Sequence, residues 1–256
     1  MCPKWSGTLP RLLGKGYILR DYKSVPEFSA YPEYSGRRHD RSQWKQLIDM
    51  HNANQSMPVH WHKKYCKIKS QKRTNYCWMF GTVACVENRL AHQGISGVDL
   101  CAFATAYRGK QGRNRGGYGV EACRYIDQFG IPDCKVYPNF SKDMSLWKRP
   151  EVIASSSANK IVSFNELGRN DFEGAVSALI DDVDPRPVTL ALSWWRHLVC
   201  GLGVAYNGRD YGIIIANSHG TQYSAGGEKN GYGILWGRKA VPFESVAVGT
   251  VLARKE

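Results

Sequence analysis

The chain has no run of about 18 apolar residues, so no segment reads as a membrane span and no membrane partner is expected. Its first residues, MCPKWSGTLPRLLGKG, lack the apolar core of a secretory signal. The expected location is therefore the cytoplasm of the producing cell, or a virion or other assembly. His60, His62 and Cys66 stand close together, but no second ligand pair with finger spacing follows, so neither zinc nor any other metal or cofactor is expected. Positive charge is plentiful, yet no nucleic-acid-binding motif accompanies it. The eight cysteines sit mostly in apolar helix or strand contexts, as reduced thiols do, and no structural disulfide is expected.

What is present is a chain of 256 residues with 43% hydrophobic content, enough to bury a full core in one large domain or two lobes. The net charge of +13 is unevenly spread. Residues 57–115 carry eleven Lys/Arg against two Asp/Glu, whereas residues 116–256 balance. Lys63, Lys64, Lys67, Lys69, Lys72 and Arg73 crowd before Cys77, and Arg108, Lys110, Arg113 and Arg115 precede Gly116-Gly117. Such a field draws an anionic partner and helps hold a thiolate charged, or is merely a soluble basic face.

The stretch Gln71–Leu90, QKRTNYCWMFGTVACVENRL, organises the rest. Asn75 reads as a helix cap, and the apolar residues behind it cover nearly every face, the mark of a helix buried inside a domain. A cysteine in the first turn meets unpaired N–H groups and the positive end of the macrodipole, which push a thiol toward thiolate. Cys77 is thus the candidate nucleophile. The alternative is a buried structural thiol, the commoner fate of a free cysteine. Gln71, six residues earlier, could lend an N–H to an oxyanion. Downstream stand His197 and Asn217, 120 and 140 residues past the cysteine. His219 competes with His197 as the base, but an amide on the neighbouring strand orients His197 better.

Flanking segments are read from pattern. Residues 1–56 form an irregular arm, broken by Pro3, Pro10, Pro26, Pro32 and several glycines, ending in a short helix over 41–51. Helices are expected over 99–107 and from Val120 to Phe129 with Gly130 as a stop, and another opens on the capping box Asn170-Asp171-Phe172-Glu173. Strands are expected over 187–192, 198–206 and 211–216, the last two joined by an Asn207-Gly208 turn, then over 232–236 and 246–252.

Nucleophile, base and amide in this chain order resemble the papain family of cysteine peptidases. Pro58-Val59-His60-Trp61-His62 is similar to the opening of the family's mature domains, and Asn114-Arg115-Gly116-Gly117-Tyr118 to its C-N-G-G-Y. Pro187 to Leu192 is similar to PVSVAL, Asn217-Ser218-His219-Gly220-Thr221 to N-S-W-G-T, and Gly227 to Tyr232 to G-E-N-G-Y with one residue added. The resemblance covers about residues 57–252.

It implies an α+β, two-lobed papain-like fold. A helical left lobe over about 57–160 would contain the central helix, and an antiparallel β-barrel-like right lobe would span about 161–252. The 1–56 arm would be a reduced pro-segment or a docking arm, lying on its own cleft or on a larger assembly. It further implies peptide or protein substrates, a Cys77 thiolate–His197 pair oriented by Asn217, and an oxyanion site at Gln71. Substrate contacts would come from Gly116, Gly117, Tyr118, Ala191, Trp195 and Leu198, with Trp78 and His219 behind them.

Three departures stand out. His219 replaces the tryptophan that shields the His–Asn bond, a loop of about twenty residues before His197 is missing, and Thr74 and Asn114 occupy the positions of a family disulfide. The second reading is a scaffold that kept the fold and lost activity, such as a subunit of a virus particle. The third is peptidoglycan cleavage or another amide hydrolysis or transpeptidation.

Overall fold

In the computed structural model, which describes residues 16–23 and 38–252, the apolar stretch becomes helix α3, Cys77–His92. It is buried on every side, down to the polar residues of its last turns. Those residues are paired, as burial demands. Glu87 meets Lys69 at 2.8 Å, Asn88 donates to the Pro58 carbonyl at 2.7 Å, and Arg89 donates to Asp184 and to the Gly249 carbonyl.

The remaining helices are α1 (Trp44–Asn54), α2 (Pro58–Tyr65), α4 (Ala102–Gly109), α5 (Gly119–Phe129), α6 (Pro150–Ser157) and α7 (Phe172–Leu179). The strands are β1 (Phe164–Leu167), β2 (Val188–Leu192), β3 (His197–Tyr206), β4 (Tyr211–Ala216), β5 (Tyr232–Trp236) and β6 (Glu244–Val248). They form one antiparallel sheet in the order β1-β6-β2-β3-β4-β5. The architecture is α+β, as expected, with α2, α4 and α5 and the strands β3, β2 and β6 all packed on α3.

Contact between helix and sheet is closest at Gly81, one turn past Cys77. A Cβ there would lie 2.6 Å from the Leu198 side chain and 3.2 Å from the Val199 backbone. Only hydrogen at this position lets β3 approach the start of α3.

Several boundaries differ from expectation, each for a local reason. Asn75 does not cap α3. Its N–H and side chain bond Asn114 instead, at 2.7 and 3.3 Å, so hydrogen bonds tie together the two segments that the family disulfide would join. Helix α4 starts at Ala102 rather than 99, because residues 99–101 are drawn into bonds with Pro132 and Cys134. Asn170 has a left-handed φ of 56°, so Asp171 caps α7 and accepts from the Gly174 N–H at 2.8 Å. The β3–β4 connection, by contrast, spans 207–210 as expected, and the Asn207 side chain accepts there from the N–H groups of both Arg209 and Asp210. Strand β6 ends at Val248, where the chain turns to bond Ser163, and Val251 keeps only an isolated bridge to Ile161.

The arm's helix runs over 44–54 rather than 41–51. Its Trp44 is buried edge-on to Tyr211, 5.1 Å between centroids, which fastens the arm to the sheet. The arm's early prolines fall outside the described residues. Seven cysteines are described and all are free, with Cys85 and Cys200 facing each other at 3.2 Å as thiols. Among the described residues no helix is long and apolar enough to cross a membrane.

Candidate active site

Cys77 opens α3, where the sequence places it, and its side chain is fully buried. The backbone amides of Leu198, Gly16, Trp78 and Tyr17 lie around the sulfur and favour its charged form. Two of those belong to the arm. Burial outweighs these donors and pushes the thiol up to about 11, so the expected resting thiolate is not the form present with the arm in place.

His197 heads β3, immediately before Leu198, and is likewise fully buried. Its Nε2–H donates to Asn217 Oδ1 at 2.8 Å. Asn217 is held in turn by its N–H to the Gly231 carbonyl at 2.9 Å, and its Nδ2 approaches His219 Nδ1 at 3.4 Å. His219 lies over the His197 ring, while Trp195 approaches that ring at 4.7 Å. Burial lowers His219 to about 4, so this neighbour stays neutral. The shield lost with the family tryptophan is thus rebuilt from two rings. Trp195, expected as a cleft wall, is 3% exposed and stacked on Tyr223, so Trp194, 41% exposed, is the tryptophan that meets solvent.

Gln71 is buried beside this arrangement. Its Oε1 accepts from Ser218 Oγ at 2.5 Å and its Nε2 donates to the Thr74 carbonyl at 2.8 Å. The backbones of Gln71 and Ser218 are bonded as well, at 2.8 Å. One short ladder therefore carries both the amide expected at the oxyanion and the residue following Asn217. The bond from Ser218 to Gln71 was not foreseen from sequence.

The groove of Gly116 and Gly117 is occupied. Gly117 donates to the Gly16 carbonyl at 2.9 Å and accepts from the Ile18 N–H at 3.1 Å, so the arm lies parallel to this strand at Tyr17. On the opposite wall the Tyr17 N–H reaches the Arg196 carbonyl at 3.3 Å. The fit is tight, since a Cβ on Gly116 would lie 2.3 Å from the Gly16 carbonyl oxygen. Three residues on, the fully buried Arg20 side chain pairs with Glu166 of β1 and lies 4.0 Å from Glu244 of β6.

Of the other expected contacts, Tyr118 faces Arg20, with 5.9 Å from guanidinium carbon to ring centroid. Ala191 is fully buried in β2, between Leu198 and Glu244 across the ladder. Trp78 anchors the groove from beneath by donating to the Asn75 carbonyl at 3.1 Å. His62 is spent on the Tyr232 hydroxyl at 2.9 Å. Within the basic run Lys63, Lys67 and Lys69 pair with acids. Lys72 and Arg73 instead rim, with Lys142, a cavity of about 520 Å³ floored by Tyr76, Phe103, Tyr107 and Phe140.

This is the two-lobed papain-like fold. The chain superimposes on a digestive procathepsin L 3 of Tenebrio molitor larval midgut with a TM-score of 0.60 at 17% identity, over 74% of this chain and 68% of that one. It matches the proform of the ragweed pollen cysteine protease Amb a 11 with a TM-score of 0.59 at 18% identity, over 77% and 66% of the two chains. A recombinant stem bromelain precursor matches with a TM-score of 0.59 at 15% identity, over 94% and 84% of the two chains. The chain thus spans about two thirds of the length of the first two proforms. No protein-family model and no curated protein matches it.

Proposed function

We propose that this chain is a cysteine peptidase held closed by its own N-terminal arm. The observation that carries the reading is the ladder of Gly16 and Ile18 on Gly117, which brings the arm to a cysteine at a helix N-terminus, in a chain that also holds an Asn217-oriented histidine next to Leu198.

With the arm displaced, water and the helix N-terminus favour the thiolate, and His197, its Nε2 committed to Asn217, takes the proton on Nδ1. The thiolate attacks a substrate amide carbonyl. The Cys77 backbone N–H and the Gln71 amide, fixed by Ser218 and Thr74, stabilise the oxyanion. The imidazolium then protonates the leaving amine, and a water activated by the same ring releases the acyl group. The basic rim at Lys72 and Arg73 is where an anionic partner would bind.

The test is hydrolysis of a fluorogenic peptide library before and after the arm is loosened. Hydrolysis that requires Cys77, and is absent in Cys77→Ala, is the expected result. A second reading, a scaffold without activity, draws on the complete burial of both Cys77 and His197. It requires that loosening the arm yield no hydrolysis of any peptide.

A further inference from the structure

Residues 16–23 carry two cations, and their fates differ. Lys23 is exposed, whereas the Arg20 side chain is withdrawn completely from water. Its guanidinium reaches Glu166 through Nη1 and stands 4.0 Å from Glu244. Both carboxylates are buried, with side chains 2% and 0% exposed. The acids come from strands of the body, β1 and β6, and the cation comes from the arm.

Two buried acids on the sheet are costly unless a cation is supplied. Glu244 is held on the wall of the groove, its Oε1 accepting from the Val120 N–H at 3.1 Å, three residues past Gly117. The site has the shape that suits a guanidinium. Both carboxylates stand on the Nη1 side of the guanidinium, Glu166 in contact and Glu244 at 4.0 Å, and the rings of Tyr22 and Tyr118 lie 4.5 and 5.9 Å from its carbon. An ammonium would offer a point charge without the stacking plane.

We infer that Glu166 and Glu244 form a guanidinium-binding specificity pocket beside the nucleophile, filled in cis by Arg20, and that a protein substrate would present an arginine to it. The inference rests on the peptidase reading for its meaning, but the pocket itself can be tested without turnover.

In the full chain carrying Arg20→Ala, calorimetric titration with N-acetyl-arginine methylamide should show saturable binding. That binding should be at least about tenfold tighter than for the citrulline or lysine counterparts. It should disappear when Glu166→Gln is added, and the unaltered chain, its pocket already full, should bind none of the three. Equal binding of citrulline, binding indifferent to Glu166→Gln, or no binding at all would overturn the pocket.

A second measurement does not depend on the Arg20→Ala chain folding. With the Gly16→Val chain, in which a Cβ would meet the Asn75 carbonyl oxygen at 1.8 Å and so lift the arm with its Arg20, an arginyl-peptide epoxide should label Cys77 at least about tenfold faster than the leucyl analogue. Faster labelling by the leucyl compound removes the pocket and leaves the peptidase reading standing. Arginine binding without labelling by either compound does the reverse.

Discussion

His219 lies flat against His197, the ring centroids 4.6 Å apart and the planes 20° from parallel. The same residue brings Nδ1 to within 3.4 Å of the Asn217 amide nitrogen, so it touches both members of the pair it covers. Replacing it by alanine should open the His197–Asn217 bond to water and slow Cys77 labelling by an epoxide inhibitor about five- to tenfold, the worth of about 1 kcal/mol of orientation. His219→Trp, which restores a broad apolar cover, should stay within about threefold of the parent. Second-order labelling rates check both.

Ser218 holds Gln71 by a 2.5 Å bond, and Gln71 is the side-chain oxyanion donor in this mechanism. Gln71→Ala should cost about 2.7–4 kcal/mol in the chemical step, or roughly 10²–10³ in kcat. Ser218→Ala leaves the donor present but loosely held and should cost less, about tenfold, with KM little changed. Steady-state kinetics on the best peptide from the library separate the two.

Gly16 passes so close to the Asn75 carbonyl oxygen that a Cβ would lie 1.8 Å from it. Gly16→Val should therefore dislodge the arm while leaving the body intact. Once the sulfur is wetted, the thiol, held up to about 11 by burial, falls back toward its ordinary range. Alkylation of Cys77 by iodoacetamide at pH 8 should then accelerate at least about tenfold.

Two buried groups give stability opposite slopes with pH. Burial lowers His62 to about 3, so between there and 6.5 the unfolded chain binds the extra proton and stability falls as pH falls. Burial raises Glu244 to about 7, so between 4.5 and 7 the native chain holds the extra proton and stability falls as pH rises. Each effect is on the order of 1–3 kcal/mol across its window. His62→Gln should flatten the acid slope and Glu244→Gln the slope toward neutrality, as read from urea midpoints at pH 4, 5.5 and 7.

Much of this was legible in the chain because it is local or periodic. The all-round apolar pattern of α3, the stripe of α5 and the runs of β2, β4 and β5 announce themselves. Asn217 was found from the resemblance, by its NSHGT context and its place after Cys77 and His197, and the hairpin between 197 and 217 agreed with it. What stayed hidden was set by contacts distant in sequence. Arg20 meets Glu166 across 146 residues, and nothing in GKGYILR marks its arginine for burial. Glu244 carried the better signal, a lone carboxylate inside the apolar run of β6, which a buried strand tolerates only for a partner. The start of α4 moved because residues 99–101 bond to the 132–134 segment, and Trp195 turned inward because His197, His219 and Tyr223 offered it ring faces.

Intact-mass and peptide mapping of the Gly16→Val chain after incubation with an active-site-directed epoxide tests the central claim most directly. The account predicts one adduct per chain, on Cys77, formed faster than in the unaltered chain and lost in the Gly16→Val/His197→Ala chain. Absence of an adduct on Cys77 after the arm is dislodged, or an equal adduct without His197, would contradict it.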